Sequence, residues 1–263
     1  MLDFDNIDDW APQLAAALSS HVSDSVEQKL VTAHLEYFED ARDLLFGLTD
    51  RNSIIDATLT WIRSTSIFGF HGTRLTDAEL ESLRADGLVP LKAEDRRHRL
   101  IRVLSLHPRW SEVADRLDAT IQDHGPGGQA GCREHQVHLT LSQAGLTNGF
   151  SHYLTHGSEF DQRVTEALLG PEGRHFLGSD GKARMIRVAV PGSLALNAAH
   201  WISSIESIRE RGDVPNLVDE FLKSWSYRLA HPEFQTRSLK ADCGMVFRST
   251  VPPAWIVGVE TLT

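Results

Sequence analysis

Phe70-His71-Gly72-Thr73-Arg74 is the stretch on which the reading of the fold turns. Ile67, Phe68 and Phe70 lead into it as an apolar strand. Directly behind it, Thr76-Asp77-Ala78-Glu79 has the form of a capping box. Leu80 and Leu83 then share one helical face, and Gly87 closes the helix. The pattern predicts a strand that ends at the motif, a turn and a helix. A histidine followed at once by glycine sets an imidazole beside backbone that no side chain covers. Together the two groups suit a flat polar ligand.

Working outward, the helix 76–86 gives way to a charged stretch, Lys92 to Arg102, whose core Arg96-Arg97-His98-Arg99 reads as solvated surface. Trp110, Val113, Leu117 and Ile121 outline an amphipathic helix after it. The Gly- and Pro-rich run from His124 to Gly131 is the strongest loop signal in the chain and has the composition of a mobile lid. Val137, Leu139 and Leu141 then alternate with polar residues as a half-buried strand should. A helix is expected over Leu146 to His156, and a further one capped by Ser158, with Phe160, Val164 and Leu168 on one face and Gly170 at its end.

Toward the C-terminus, Met185 to Val190 reads as a strand stopped by Pro191. Asn197 is expected to cap a helix carrying Ile202, Ile205 and Ile208, and Leu217, Phe221, Leu222, Trp225 and Leu229 mark another. Two closing strands are expected at Gly244 to Ser249 and Ala254 to Glu260. Before the motif, Leu30, His34, Phe38, Ala41 and Leu45 recur at helical spacing. Helices and strands are mixed without steady alternation, so the fold class is α+β, with a split, mainly antiparallel β core and both N-terminal and inserted helices. Residues 1–66 are expected to form a helical segment packed on a domain of residues 67–263, which carries an insertion at about 92–131.

The bulk properties narrow the function. The 263 residues suffice for a large core, and 41% apolar with 24% charged residues is ordinary for a soluble protein. A formal charge of −10 argues against broad binding to a nucleic-acid backbone. Two cysteines support neither a disulfide framework nor a cysteine-rich zinc site. The acidic N-terminus lacks a signal pattern and no apolar run reaches membrane-spanning length, so a cytoplasmic location without membrane contact is expected.

With Tyr153 added at the end of the run from Val137, the order of elements resembles the ADP-ribosyltransferase fold of the diphtheria-toxin and poly(ADP-ribose) polymerase kind. In that family a strand carries His-Gly-Thr or His-Gly-Ser, and a tyrosine sits on a helix behind the second strand. His71, Gly72, Thr73 and Tyr153 match by residue. The resemblance implies NAD as substrate, with His71 bonded to a ribose hydroxyl, the Gly72 backbone to the carboxamide and Tyr153 stacked on the nicotinamide. Thr73, Arg74 and Ser158 would complete the binding site, with Arg74 pairing with the pyrophosphate. The implied reaction breaks the nicotinamide–ribose bond and passes ADP-ribose to a macromolecular acceptor, protein or nucleic acid. A bacterial toxin or defence role, with a neutralising partner, would follow by analogy.

The family also carries a glutamate on a late strand. Cys243 to Phe247 occupies that strand here without one. The nearest carboxylates are Asp242 and Glu159. Tyr153 and Glu159 stand six residues apart, about 120° on a continuous helix, and converge only if the helix breaks at Gly157. An unbroken helix would instead align His152, His156 and Glu159 on one face, the alternative of a metal site, although none is expected. Remaining readings are an inactive module that binds ADP-ribose or a nucleotide, an NAD glycohydrolase, and an RNA 2′-phosphotransferase.

Overall fold

The apolar lead-in to the motif becomes the middle strand of a sheet. A computed structural model describes residues 1–125, 135–200, 202–240 and 243–262. It contains β1 (Ser66–Leu75), β2 (Val137–Thr140), β3 (Lys182–Pro191), β4 (Gly244–Phe247) and β5 (Ile256–Thr261). They form one sheet in the order β4-β2-β1-β3-β5. The sheet is mainly antiparallel and the fold is α+β. Between β3 and β5 the register pairs Arg184 with Thr261 and Ile186 with Val259, then slips at a bulge between Arg187 and Val188. One expectation changes here: β1 does not stop at the motif but runs through it to Leu75.

Contacts divide the chain into two units, residues 1–69 with 140–145 and 189–245, and residues 70–139 with 146–188 and 246–263. Residues 189–245, which the sequence reading assigns to the domain of residues 67–263, therefore group with the N-terminal helices. The first unit is helical and aromatic. Trp10, Leu14 and Leu18 recur every fourth residue on the helix Ile7–Leu18 and are all buried. The helix Asn216–Ala230 answers with buried Leu217, Phe221, Leu222 and Trp225. Phe221 meets Trp10 edge-on at 4.9 Å and Trp61 at 5.2 Å, and Phe4 completes the group. Edge-to-face packing of this kind adds to simple burial because the ring quadrupoles are aligned.

Two helical expectations need correction in this unit. The regular spacing from Leu30 to Leu45 is split between Asp24–Val31 and Phe38–Leu48. Asn197 lies inside the helix Gly192–Ala198 and caps nothing. The helix Ile205–Glu210 is capped by the Ser204 side chain, which accepts from the Ser207 amide at 3.2 Å.

In the second unit the helix Asp77–Asp86 has the expected capping box. Thr76 Oγ1 accepts from the Glu79 amide at 3.2 Å, and the Thr76 amide donates to Glu79 Oε2 at 2.8 Å. The charged stretch forms the helix Ala93–Leu104, followed by Trp110–Val113 and Leu117–His124. Their apolar faces pack on the helix Glu159–Leu169: Leu100, Leu104, Leu117 and Ile121 meet Phe160, Val164 and Leu168 in one cluster. The inserted helices thus brace the helix that begins at Glu159. Most of the Gly-rich run expected as a lid lies outside the described residues.

Candidate functional site

His71 sits on β1 beside β2, and its Nδ1 lies 2.8 Å from the backbone carbonyl of His138. A carbonyl only accepts, so Nδ1 carries the proton and Nε2 is left with the lone pair. Burial pushes the His71 pKa below its ordinary value, against the carbonyl bond that favours the charged form. The ring is a neutral imidazole of fixed tautomer, able to accept from a hydroxyl through Nε2. Its neighbour Gly72 is buried for a reason the sequence does not show. A Cβ there would stand 2.7 Å from Leu146 Cδ1, so the space above the glycine belongs to a leucine side chain.

The helix expected over Leu146 to His156 is not continuous. A π-helical turn covers Gly145–Gly149, and the α-helix proper is His152–His156. It stops at Gly157, whose φ of 81° and ψ of −148° belong to glycine. Ser158 opens the next helix, its Oγ accepting from the Asp161 amide at 3.1 Å. Gln162, buried, spans the break by donating to the Gly157 carbonyl at 2.7 Å. The condition for convergence is therefore met. Tyr153 Oη donates to Glu159 Oε1 at 2.8 Å, and His152 Nε2 lies 3.4 Å from the same oxygen. The break also ends the single face on which a metal reading depends. Among the described residues no three His, Cys, Asp or Glu side chains group to hold a metal ion.

His71, Gly72, Thr73, Arg74, Tyr153, Ser158 and Glu159 all line one cavity of about 340 Å³. That volume falls in the roughly 300–1,000 Å³ range of small-molecule sites. The residues do not share one role. Ser158 Oγ is engaged as a cap. Arg74 donates to three backbone carbonyls, those of Asp180 (3.1 Å), Leu154 (3.2 Å) and Gly181 (2.6 Å). Burial and then the nearby Arg99 pull its pKa down. Its guanidinium fixes the loop at Gly181 to the helix of Tyr153, which leaves little of its planar fork for a pyrophosphate. Asp242 lies outside the described residues, and β4 carries no carboxylate.

The arginine run is the largest departure from the sequence reading. Arg97 and His98 meet it, both exposed, Arg97 pairing at the surface with Asp118 at 2.6 Å. Arg99 is 5% exposed and faces Glu79 at 2.8 Å, Asp180 at 3.3 Å and Asp161 at 3.5 Å. Arg96 grips Asp161, itself 1% exposed, through both carboxylate oxygens. Arg102 bridges Glu79 and Asp180. Three guanidinium groups thus meet three carboxylates from four stretches of chain, and Asp161 stands two residues from Glu159. Burial alone would raise the Glu79 pKa, but the Thr76 amide and Arg99 outweigh it and hold the carboxyl at about 2. Comparison with protein-family models, with curated proteins and with solved structures finds no match.

Proposed function

We propose that this chain acts on NAD in the His71–Tyr153–Glu159 cavity, breaking the nicotinamide–ribose bond and passing ADP-ribose to a macromolecular acceptor. The observation that supports the reading is convergence: a neutral imidazole, a tyrosine ring and a carboxylate held by that tyrosine line one cavity. His71 Nε2 accepts from a ribose hydroxyl, and Tyr153 stacks on the nicotinamide. The bonding pair leaves with nicotinamide, and positive charge builds at the ribose C1 and ring oxygen, where a carboxylate is stabilising. Glu159 then takes the proton of the acceptor nucleophile as it attacks C1. Tyr153 holds the carboxylate in place through its Oη.

The test is nicotinamide release from NAD, with cell lysate as the acceptor source. Wild type is expected to release nicotinamide and to label a macromolecule. His71→Ala and Tyr153→Ala are expected to lose release about 10²-fold or more while remaining folded. Glu159→Gln should abolish transfer, whereas Asp242→Asn should not. Wild-type release in Glu159→Gln would remove this carboxylate from the mechanism, and no release at all from the wild type would sink the reading. Release without labelling would indicate a glycohydrolase. A second reading, a module that binds ADP-ribose without chemistry, is favoured by one observation: β4, Gly244–Phe247, has no glutamate. It predicts saturable ADP-ribose binding with no nicotinamide formed.

A further inference from the structure

Tyr153 and Glu159 line the cavity, and a third side chain reaches the same carboxylate from outside that lining. His152 Nε2 lies 3.4 Å from Glu159 Oε1, the oxygen that already accepts from Tyr153 Oη at 2.8 Å. A carboxylate only accepts, so Nε2 faces it as a donor. The imidazole is not left to turn freely. Its ring lies beside that of Tyr153, with centroids 4.3 Å apart at 35°, and Phe150 stands edge-on to it at 6.3 Å. Gln162 ties the His152 backbone to the helix of Glu159: its Nε2 lies 3.4 Å from the His152 carbonyl and 2.7 Å from that of Gly157. We infer that His152 is a positioning residue for Glu159, holding its carboxylate for the reaction without touching the substrate.

The inference rests on the proposed reaction, in which Glu159 receives the proton of the acceptor. One donor pins a carboxylate oxygen but leaves the group free to turn about its last side-chain bond, a torsion with broad preferences. Two donors on one oxygen use its two lone-pair directions, and those directions set the plane of the carboxylate. Tyr153 supplies the first donor and His152 the second. The second distance is long for a hydrogen bond, and such contacts tighten when substrate fills the site. A misplacement of about 1 Å at a catalytic group costs on the order of 10²-fold in rate, so even a loose second anchor registers in turnover. His152 stands outside the lining, so its loss belongs in kcat and not in the KM for NAD.

Steady-state nicotinamide release from NAD by the full chain, with cell lysate as the acceptor source, tests the inference through two variants. His152→Phe keeps a ring beside Tyr153 and removes the donor. It should lower kcat about tenfold and leave the KM for NAD as in the wild type. His152→Gln loses the ring and keeps an N–H donor of similar reach, so it should restore most of the rate. The side chain is 27% exposed, and His152→Ala replaces His152→Phe should the larger ring fold poorly, with the same fall expected. Full kcat in the variant that lacks a donor would overturn the inference. Equal losses in His152→Gln and His152→Phe would assign the effect to packing and overturn it too. A raised KM with kcat intact would make His152 a substrate contact, again against it. These outcomes leave the proposed reaction standing, because the wild type still releases nicotinamide. No release from the wild type overturns both.

Discussion

In the unit that contains Trp10, the interior is held by rings: Phe4 stacks on Trp10, the other contacts among Phe4, Trp10, Trp61 and Phe221 are edge to face or tilted, and ion pairs such as Arg42–Asp219 stay partly exposed. In the unit that contains His71, buried charges stand close to an open cavity, with Arg99 and Asp161 both almost inaccessible. The difference teaches what each interior is for. Rings fill space and stabilise through area removed from water. Guanidinium–carboxylate pairs fix directions without filling space, which suits the wall of a cavity that must keep its shape. Buried pairs of this kind are poor sources of net stability, because desolvation offsets most of their attraction. The comparison breaks first at Phe221. Phe221→Ala should cost about 4 kcal/mol by denaturant titration, the magnitude for an aromatic core truncation. A loss under about 1 kcal/mol would mean the ring cluster is not the keystone of its unit.

Asp161→Ala is expected to cost about 3 kcal/mol, since it leaves half-buried Arg96 without its carboxylate and removes one of the three that face buried Arg99. Its second effect separates the two units. Phe221→Ala should leave nicotinamide release by the remaining folded protein unchanged. Asp161→Ala should lower it, because Asp161 anchors the first turn of the helix that begins at Glu159. Equal release in both variants would reduce the ion network to a structural part.

The two interiors also differed in how readily their chemistry could be read from the chain. The capping box at Thr76, the helix ends at Gly87 and Gly170, and the α+β class follow from local signals, and the structure has them. The meeting of Tyr153 with Glu159 was readable only as a condition, because it depends on one glycine breaking a helix. The continuation of β1 past His71 left no local mark, since strand pairing decides it. The arginine run misleads for a physical reason. Arg96 and Arg99 look solvated when their neighbours are counted, and their partners Glu79, Asp161 and Asp180 lie elsewhere in the chain. Charge run and buried network are the same residues, told apart only by tertiary contact. Gln162, which holds the helix break together, likewise gives no sign in its sequence context.

Gly157→Ala sharpens the comparison at intermediate cost. A Cβ at φ 81° and ψ −148° should cost about 2 kcal/mol, within the range for non-glycine residues in that region. Space is not the obstacle, for the nearest atoms to such a Cβ are 3.9 Å away. The loss is therefore of backbone origin, and it should be accompanied by a larger fall in nicotinamide release as Tyr153 and Glu159 separate. Glu79→Gln should cost less, about 1.5 kcal/mol at pH 7, by weakening the charge-assisted bonds to Arg99 and Thr76. Its signature is the pH dependence. Glu79 is held at about 2 against 4.5 for the free side chain, so the unfolded chain takes up its proton first as pH falls. Its contribution is complete above about pH 4.5 and is lost toward pH 2. Chemical denaturation across that window should show a shallower fall for Glu79→Gln than for the wild type, and parallel curves would break the assignment.

The smallest effect belongs to Glu81, on the same helix as Glu79 but exposed and outside the network. It pairs with Arg84 at 2.6 Å, but the two side chains are 71% and 57% exposed. A short distance on the surface is a weak interaction, because water screens the attraction and holding two long side chains in one geometry costs entropy. Glu81→Ala should change stability by no more than about 0.5 kcal/mol, and the change should vanish in high salt. Glu79, two residues earlier on the same helix, faces Arg99 instead and should respond little to salt. If the two glutamates respond alike, the contrast between a solvated pair and a desolvated network fails within a single helix, where propensity and position along the chain are nearly constant and burial is the variable left.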